Sequence, residues 1–217
     1  MIEERIEVLT QSSIRIQDSC TIYADPFQME EAPHDGKLIF ITHDHFDHFS
    51  PEDIEKAAGE GVKLVVPEKM KEQAEKLQIP EKEIITVVPG EEKSVAGIFF
   101  ETVPAYNNLK PFHPKKKGWV GYILQLGEER VYIAGDTDLT KENQKVVCDI
   151  AMVPIGGTFT MDAKKAAELV NIIRPRIAIP THYGSVAGSK GGGKVDEEIF
   201  LTHVDKDIKV EIKMQRY

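Results

Sequence analysis

Cysteine is scarce: Cys20 and Cys148 are the two in 217 residues, they lie far apart, and neither belongs to a C-x-x-C. That argues against a disulfide framework or a thiolate metal pair and fits buried thiols in a reducing compartment. Long apolar runs are missing too. No stretch approaches the roughly 18 apolar residues of a membrane span, and the chain opens Met1-Ile2-Glu3-Glu4-Arg5 rather than with a positive segment leading into an apolar one. Neither membrane insertion nor export is therefore expected, and the chain reads as cytoplasmic. Positive charge is in deficit, with 27 Lys and Arg against 36 Asp and Glu for a net charge of −9. Phosphate neutralisation needs a basic surface, so no nucleic-acid partner is expected. Repeats and low-complexity linkers are also lacking, and with 41% hydrophobic residues the chain reads as one globular domain, residues 1–217.

Histidine is unevenly placed. Three of the seven fall in His43-Asp44-His45-Phe46-Asp47-His48, which closes the apolar run Leu38-Ile39-Phe40-Ile41. Extended backbone points His43 and His45 the same way, while Asp47 and His48 can fold back as a second ligand pair. Imidazoles and a carboxylate crowded together suit Zn or a similar divalent ion. A hexapeptide alone would leave coordination positions open, so further ligands are expected at later strand ends. Val131-Tyr132-Ile133-Ala134-Gly135-Asp136 is an apolar strand whose Gly lets the backbone turn tightly and deliver Asp136, with Asp138 a weaker choice. Ile177-Ala178-Ile179-Pro180-Thr181-His182 repeats the design.

Around these motifs the pattern predicts strands at 6–9, 14–16, 21–23 and 37–42. A helix is expected from the Ser50-Pro51 cap to Ala58, stopping at Gly59, and another over 68–77 between strands at 63–66 and 83–88. Paired strands are expected within 93–105 and 119–134, then a strand at 150–154, a helix over 162–173 capped by Thr160 or Asp162, and a strand at 176–180. The glycine-rich stretch 186–195 reads as a mobile loop, and 208–214 as a closing strand.

The motif H-x-H-x-D-H, then Gly135-Asp136, then His182 after a strand, resembles the metallo-β-lactamase superfamily in content and order along nearly the whole chain. Segments 154–162 and 180–184 look most like the small hydrolases related to ascorbate-6-phosphate lactonase and, more distantly, N-acyl-phosphatidylethanolamine phospholipase D. The resemblance implies an α/β fold, a four-layer αβ/βα sandwich of two mixed sheets with flanking helices and a metal edge. It also implies His43 and His45 on one metal, Asp47, His48 and His182 on another, and Asp136 bridging. One or two divalent ions follow, Zn first, with Mn or Fe also compatible. The superfamily's further first-metal His is expected after 101–105, where this chain has Tyr106-Asn107-Asn108; His113 either takes that place or acts on substrate.

The chemistry implied is hydrolysis by metal-activated water, with Asp47 orienting the water or accepting its proton. His45 occupies the place where the superfamily's diiron oxygen reductases carry Glu. Lys110, Lys115, Lys116 and Lys117 form a basic loop that suits a small anionic ester, lactone or phosphodiester. Tyr106, Asn107 and Lys115 are candidate substrate contacts, while Thr158 and Thr160 are candidates for the same edge. His34 and His203 read as surface residues. Two other functions stay open: a mononuclear-metal oxidoreductase acting on a thiol or persulfide, and a non-catalytic metal-containing binding or sensing protein. RNA processing and extracellular β-lactamase activity are not expected from the charge and the N-terminus. A small-molecule substrate is the expected partner, and the resemblance allows a homo-oligomer.

Overall fold

The structure, a computed structural model, describes residues 1–184 and 193–215. The first half of the chain builds a six-stranded sheet in the order β1 to β6: β1 (Ile6–Thr10), β2 (Ser13–Gln17), β3 (Thr21–Ala24), β4 (Gly36–Phe40), β5 (Ala58–Pro67) and β6 (Ile84–Val87). Its first three strands are antiparallel, and β3 to β6 run parallel. Parallel pairing needs crossovers, which here are the segment 25–35 between β3 and β4, a ligand-bearing loop with helix α1 (Pro51–Ala57) and a segment with the short α2 (Lys71–Ala74).

The second half repeats the scheme with seven strands. β7 (Glu92–Val95), β8 (Ile98–Pro104), β9 (Val120–Leu126) and β10 (Glu129–Ile133) form an antiparallel meander. From β10 the sheet continues in parallel through β11 (Ile150–Pro154), β12 (Ile177–Thr181) and β13 (Lys209–Val210), with α3 (Ala163–Ile173) and α4 (Gly193–His203) packed together outside. Two mixed sheets with flanking helices are the expected α/β sandwich.

Strand β4 shows why its apolar run is continuous. Leu38 and Phe40 point into the core between the sheets, where Phe40 meets Phe100 at 5.1 Å and Tyr122 at 4.9 Å. Ile39 and Ile41 point the other way, into a second cluster with Ile54, Met70 and Ala74 under α1 and α2. A strand buried on both faces has no polar alternate. Its end is therefore rigid, and the histidine loop begins there.

Most expected elements form, with instructive departures. Helix α1 stops at Ala57 and Gly59 lies inside β5, where a Cβ would fall 2.8 Å from the His34 carbonyl oxygen; the glycine serves strand packing rather than a helix end. The expected helix over 68–77 is a 3-10 turn, Glu68–Met70, followed by the single turn of α2. Only Met70 and Ala74 of that stretch are buried, too little apolar contact to stabilise a longer helix. Residues 186–192 of the expected glycine-rich loop lie outside the described residues, whereas Gly193–Val195 open α4, whose one buried residue, Phe200, leaves little periodic signal. The closing strand shrinks to β13 and a bridge between Met214 and Val8. Asp162, not Thr160, caps α3 by accepting from the Lys165 N–H at 2.8 Å. Among the described residues no helix is long and apolar enough to cross a membrane.

Candidate metal centre

The loop after β4 folds back on itself because the His45 carbonyl accepts from the N–H groups of His48 (3.0 Å) and Phe49 (2.8 Å). That turn brings Asp47 and His48 beside His43 and His45. Asp136 arrives from the end of β10 through Gly135, whose φ of +63° suits glycine and whose missing side chain lets the backbone approach Thr42. His182 follows β12 at φ +51°, and His113 comes from the loop joining β8 to β9.

These residues converge on Asp136. Its Oδ2 lies 3.0 Å from His182 Nε2, 3.3 Å from His113 Nε2 and 3.9 Å from His43 Nε2, and its Oδ1 lies 3.3 Å from His48 Nε2. On one side the ligand atoms of His43, His45 and His113 all fall within 4.8 Å of one another; on the other, those of Asp47, His48 and His182 do the same. His113 thus completes the imidazole trio that Tyr106-Asn107-Asn108 leaves short. Apart from the half-exposed His45, these side chains are buried.

The tautomers follow from the partners. Asp25 Oδ2 accepts from His48 Nδ1 at 2.7 Å and from the Thr42 hydroxyl at 2.6 Å. Because that hydroxyl spends its one proton on Asp25, it accepts from His43 Nδ1 at 2.9 Å. The Asn107 amide donates to the Phe159 carbonyl at 3.0 Å, so its oxygen accepts from His113 Nδ1 at 2.9 Å. In His43 and His113 the inward Nε2 is thereby left as a lone pair. His48 Nε2, His113 Nε2 and Asp136 Oδ1 are buried without a hydrogen bond among the described residues, a donor set that fits a divalent cation.

The electrostatics agree. Burial pushes His43 well below its ordinary range and lowers His45. Against burial, Asp136 and Asp25 push His48 well up, and Asp136 raises His182 to about 9. The neighbouring imidazoles in turn overcome burial to hold Asp136 well below the carboxylate range and Asp47 at about 2. Two buried carboxylates demand positive charge beside them, which protons or a cation can provide.

The remaining expected site residues are placed differently. The Tyr106 hydroxyl donates to Glu142 at 2.7 Å, and the Lys115 ammonium pairs with Glu142 at 2.6 Å over the Tyr106 ring. Lys110 pairs with Asp138 at 2.8 Å and Lys117 with Asp44 at 3.5 Å. The basic loop is thus largely neutralised. Asn107, expected to contact substrate, uses both amide atoms on protein groups. Thr160 is buried and donates to the Met161 carbonyl, and Thr158 is partly exposed nearby; His34 and His203 are exposed. Asp25, Thr42 and Gln11 were not apparent as site residues from the sequence. An Asp ending a strand next to the motif-bearing strand was the available signal for Asp25, while Gln11 sits in an ordinary Thr-Gln-Ser-Ser turn.

Residues 5–182 match the Beta-lactamase superfamily domain. The chain is 30% identical over 195 residues to a UPF0173 metal-dependent hydrolase of Pyrococcus horikoshii, covering 83% of this chain and 85% of that one. It is 32% identical over 195 residues to a UPF0173 metal-dependent hydrolase of Pyrococcus abyssi, with the same coverage. Among solved structures, a protein of Parabacteroides distasonis assigned as a metal-dependent hydrolase superposes with a TM-score of 0.82 at 28% identity, covering 97% of this chain and 93% of that one. The metallo hydrolase Igni18 of Ignicoccus hospitalis shares the fold, with a TM-score of 0.74 at 21% identity over 96% and 94% of the two chains.

Proposed function

Because this chain belongs to the metallo-β-lactamase superfamily, we propose that it is a metal-dependent hydrolase that uses an activated water on a small ester, lactone or phosphodiester. The observation carrying this reading is the convergence of His43, His45, His48, His113 and His182 with Asp47 on the buried Asp136, with His48 Nε2, His113 Nε2 and Asp136 Oδ1 making no hydrogen bond among the described residues. His43, His45 and His113 would hold one ion, Asp47, His48 and His182 a second, and Asp136 both. An ion there, Zn before Mn or Fe, would supply Lewis acidity that lowers the pKa of bound water to about 7.

The protein's own groups do the rest. Asp47, the least enclosed of the buried carboxylates at 9% exposure, orients the attacking water or accepts its proton. Asp25 and Thr42 hold His48 and His43 in the tautomers that face inward, and Asn107 does this for His113. No side-chain nucleophile is required.

On the substrate side, ion pairing of Lys110, Lys115 and Lys117 reduces the attraction for an anion. Phe46, Leu109 and Phe112 are instead 72%, 98% and 42% exposed on the histidine loop and the loop carrying His113. Large apolar side chains next to ligand positions favour a substrate with an apolar acyl or aryl substituent beside the scissile bond. The resemblance of segments 154–162 and 180–184 to small hydrolases related to ascorbate-6-phosphate lactonase supports a lactone among the first candidates.

Metal analysis of protein purified without added metal, followed by assay of aryl esters, lactones and phosphodiesters, tests the proposal. Turnover that disappears on chelation and falls at least about a hundredfold in Asp47→Asn is the expected result. Stoichiometric iron with oxygen consumption on thiols or persulfides would replace it with an oxidoreductase. Metal loss in His182→Ala without wild-type turnover on any substrate class would leave a binding protein.

A further inference from the structure

Gln11 lies in the turn between β1 and β2, far in sequence from every histidine of the site, yet it is 2% exposed. Its amide Nε2 donates to Asp47 Oδ2 at 2.5 Å and lies 3.2 Å from His182 Nε2. Its backbone carbonyl accepts from the His182 N–H at 2.9 Å. One residue of the first sheet therefore touches two members of the second ligand group, one of which comes from the other sheet. The amide oxygen, Oε1, is buried without a hydrogen-bond partner among the described residues.

The backbone of Gln11 is left-handed, with φ +47°. Gly or Asn suits such a turn better than Gln, so the turn alone gives no reason for this side chain. The carboxamide is explained by what it reaches. We propose that Gln11 is a positioning residue for the second ion, holding Asp47 with its amide and His182 with its carbonyl, so that it sets affinity at Asp47, His48 and His182 without setting affinity at His43, His45 and His113. This rests on the two-ion reading above, and it adds that occupancy of the two positions is separately controlled.

The single tryptophan separates them experimentally. Trp119 lies 5.1, 5.0 and 5.5 Å from the rings of His43, His45 and His113, so its fluorescence responds most strongly to the first position. Titrating metal-stripped protein with Co²⁺, while following Trp119 quenching and total bound metal by equilibrium dialysis, gives both affinities. Gln11→Ala should weaken the second equivalent about 10- to 100-fold, the usual effect of removing a group that orients a ligand, with the quenching transition unchanged. Gln11→Asn keeps a residue compatible with left-handed backbone but shortens the amide, and should show the same selective loss, which separates positioning from a misfolded turn. Wild-type binding of two ions with equal or tighter second binding in both variants would overturn the inference and leave the metal site intact. Parallel loss of both equivalents in both variants would also overturn it, by showing a structural role. Failure of wild-type protein to bind any ion would sink the underlying metal reading instead.

Discussion

At the residue scale the centre depends on hydrogen bonds that aim its imidazoles. Asp25 is the busiest of these supports, accepting from His48 Nδ1, the Thr42 hydroxyl and, at 2.8 Å, the Thr42 N–H. It too is left-handed, with φ +45°, and is 1% exposed. Asp25→Asn replaces one accepting oxygen with a donor, which at the Oδ2 position opposes both His48 Nδ1–H and the Thr42 hydroxyl, and at the Oδ1 position opposes the Thr42 N–H. Metal affinity should fall about 10- to 100-fold, read by competition with a chromogenic chelator. Unchanged affinity would show that Asp25 only braces the loop. The motif histidines were legible in the sequence because type and spacing coincide there. Asp25 and Gln11 were not, because a single Asp or Gln at a turn usually serves the turn.

At the element scale, ligands are delivered where strands leave the core, and backbone geometry at those exits is as important as the ligands. Gly135 combines φ +63° with a close approach: a Cβ would sit 3.0 Å from the Thr42 Cβ. Gly135→Ala meets both the left-handed penalty and the contact with Thr42, which itself supports His43. The expected loss is about 1–3 kcal/mol in chemical denaturation, together with weaker metal binding as Asp136 shifts. A variant with wild-type stability and affinity would show that the β10 exit has slack. The core strands were readable from their β-branched runs, and α3 from its apolar spacing. The overlong expectation for 68–77 and the missing one for α4 share a cause: charged surface segments carry weak periodicity, and tertiary burial decides their length.

At the scale of the whole molecule, the two sheets are joined across the metal edge. The Tyr122 hydroxyl donates to the Ile41 carbonyl at 2.7 Å, and the Val120 N–H to that of Thr42 at 3.2 Å. Away from that edge, Arg176, just before β12, donates to both carboxylate oxygens of Glu3 near the N-terminus, at 2.9 and 3.2 Å. The Arg176 guanidinium overcomes burial to hold Glu3 down at about 2, against an ordinary 4.5. A carboxyl whose folded pKa is depressed contributes its full stability above the unfolded value and loses it as pH falls from about 4.5 through about 2. Arg176 is 42% exposed, so solvent screens the pair. Arg176→Ala should cost about 1–2 kcal/mol at neutral pH and flatten the acid side of the stability curve between about pH 5 and 2. An unaltered slope in that window would show that another carboxylate sets acid stability.

The resemblance to the metallo-β-lactamase superfamily implied the αβ/βα class; the sequence by itself determined the core strands and the exits carrying the histidine loop, Asp136 and His182, and it pointed to divalent-cation chemistry. Those follow from local pattern: apolar runs choose strands, and crowded imidazoles and carboxylates choose metal. Only the tertiary structure decided that His113 completes the first trio, that Asn107 aims His113, that the loop lysines are neutralised, and that Asp25 and Gln11 belong to the centre. Each of these joins residues remote in sequence or turns on which partner a polar side chain finds. Hydrogen bonds and ion pairs act over a few ångströms in space, and only packing of the two sheets brings those partners within reach.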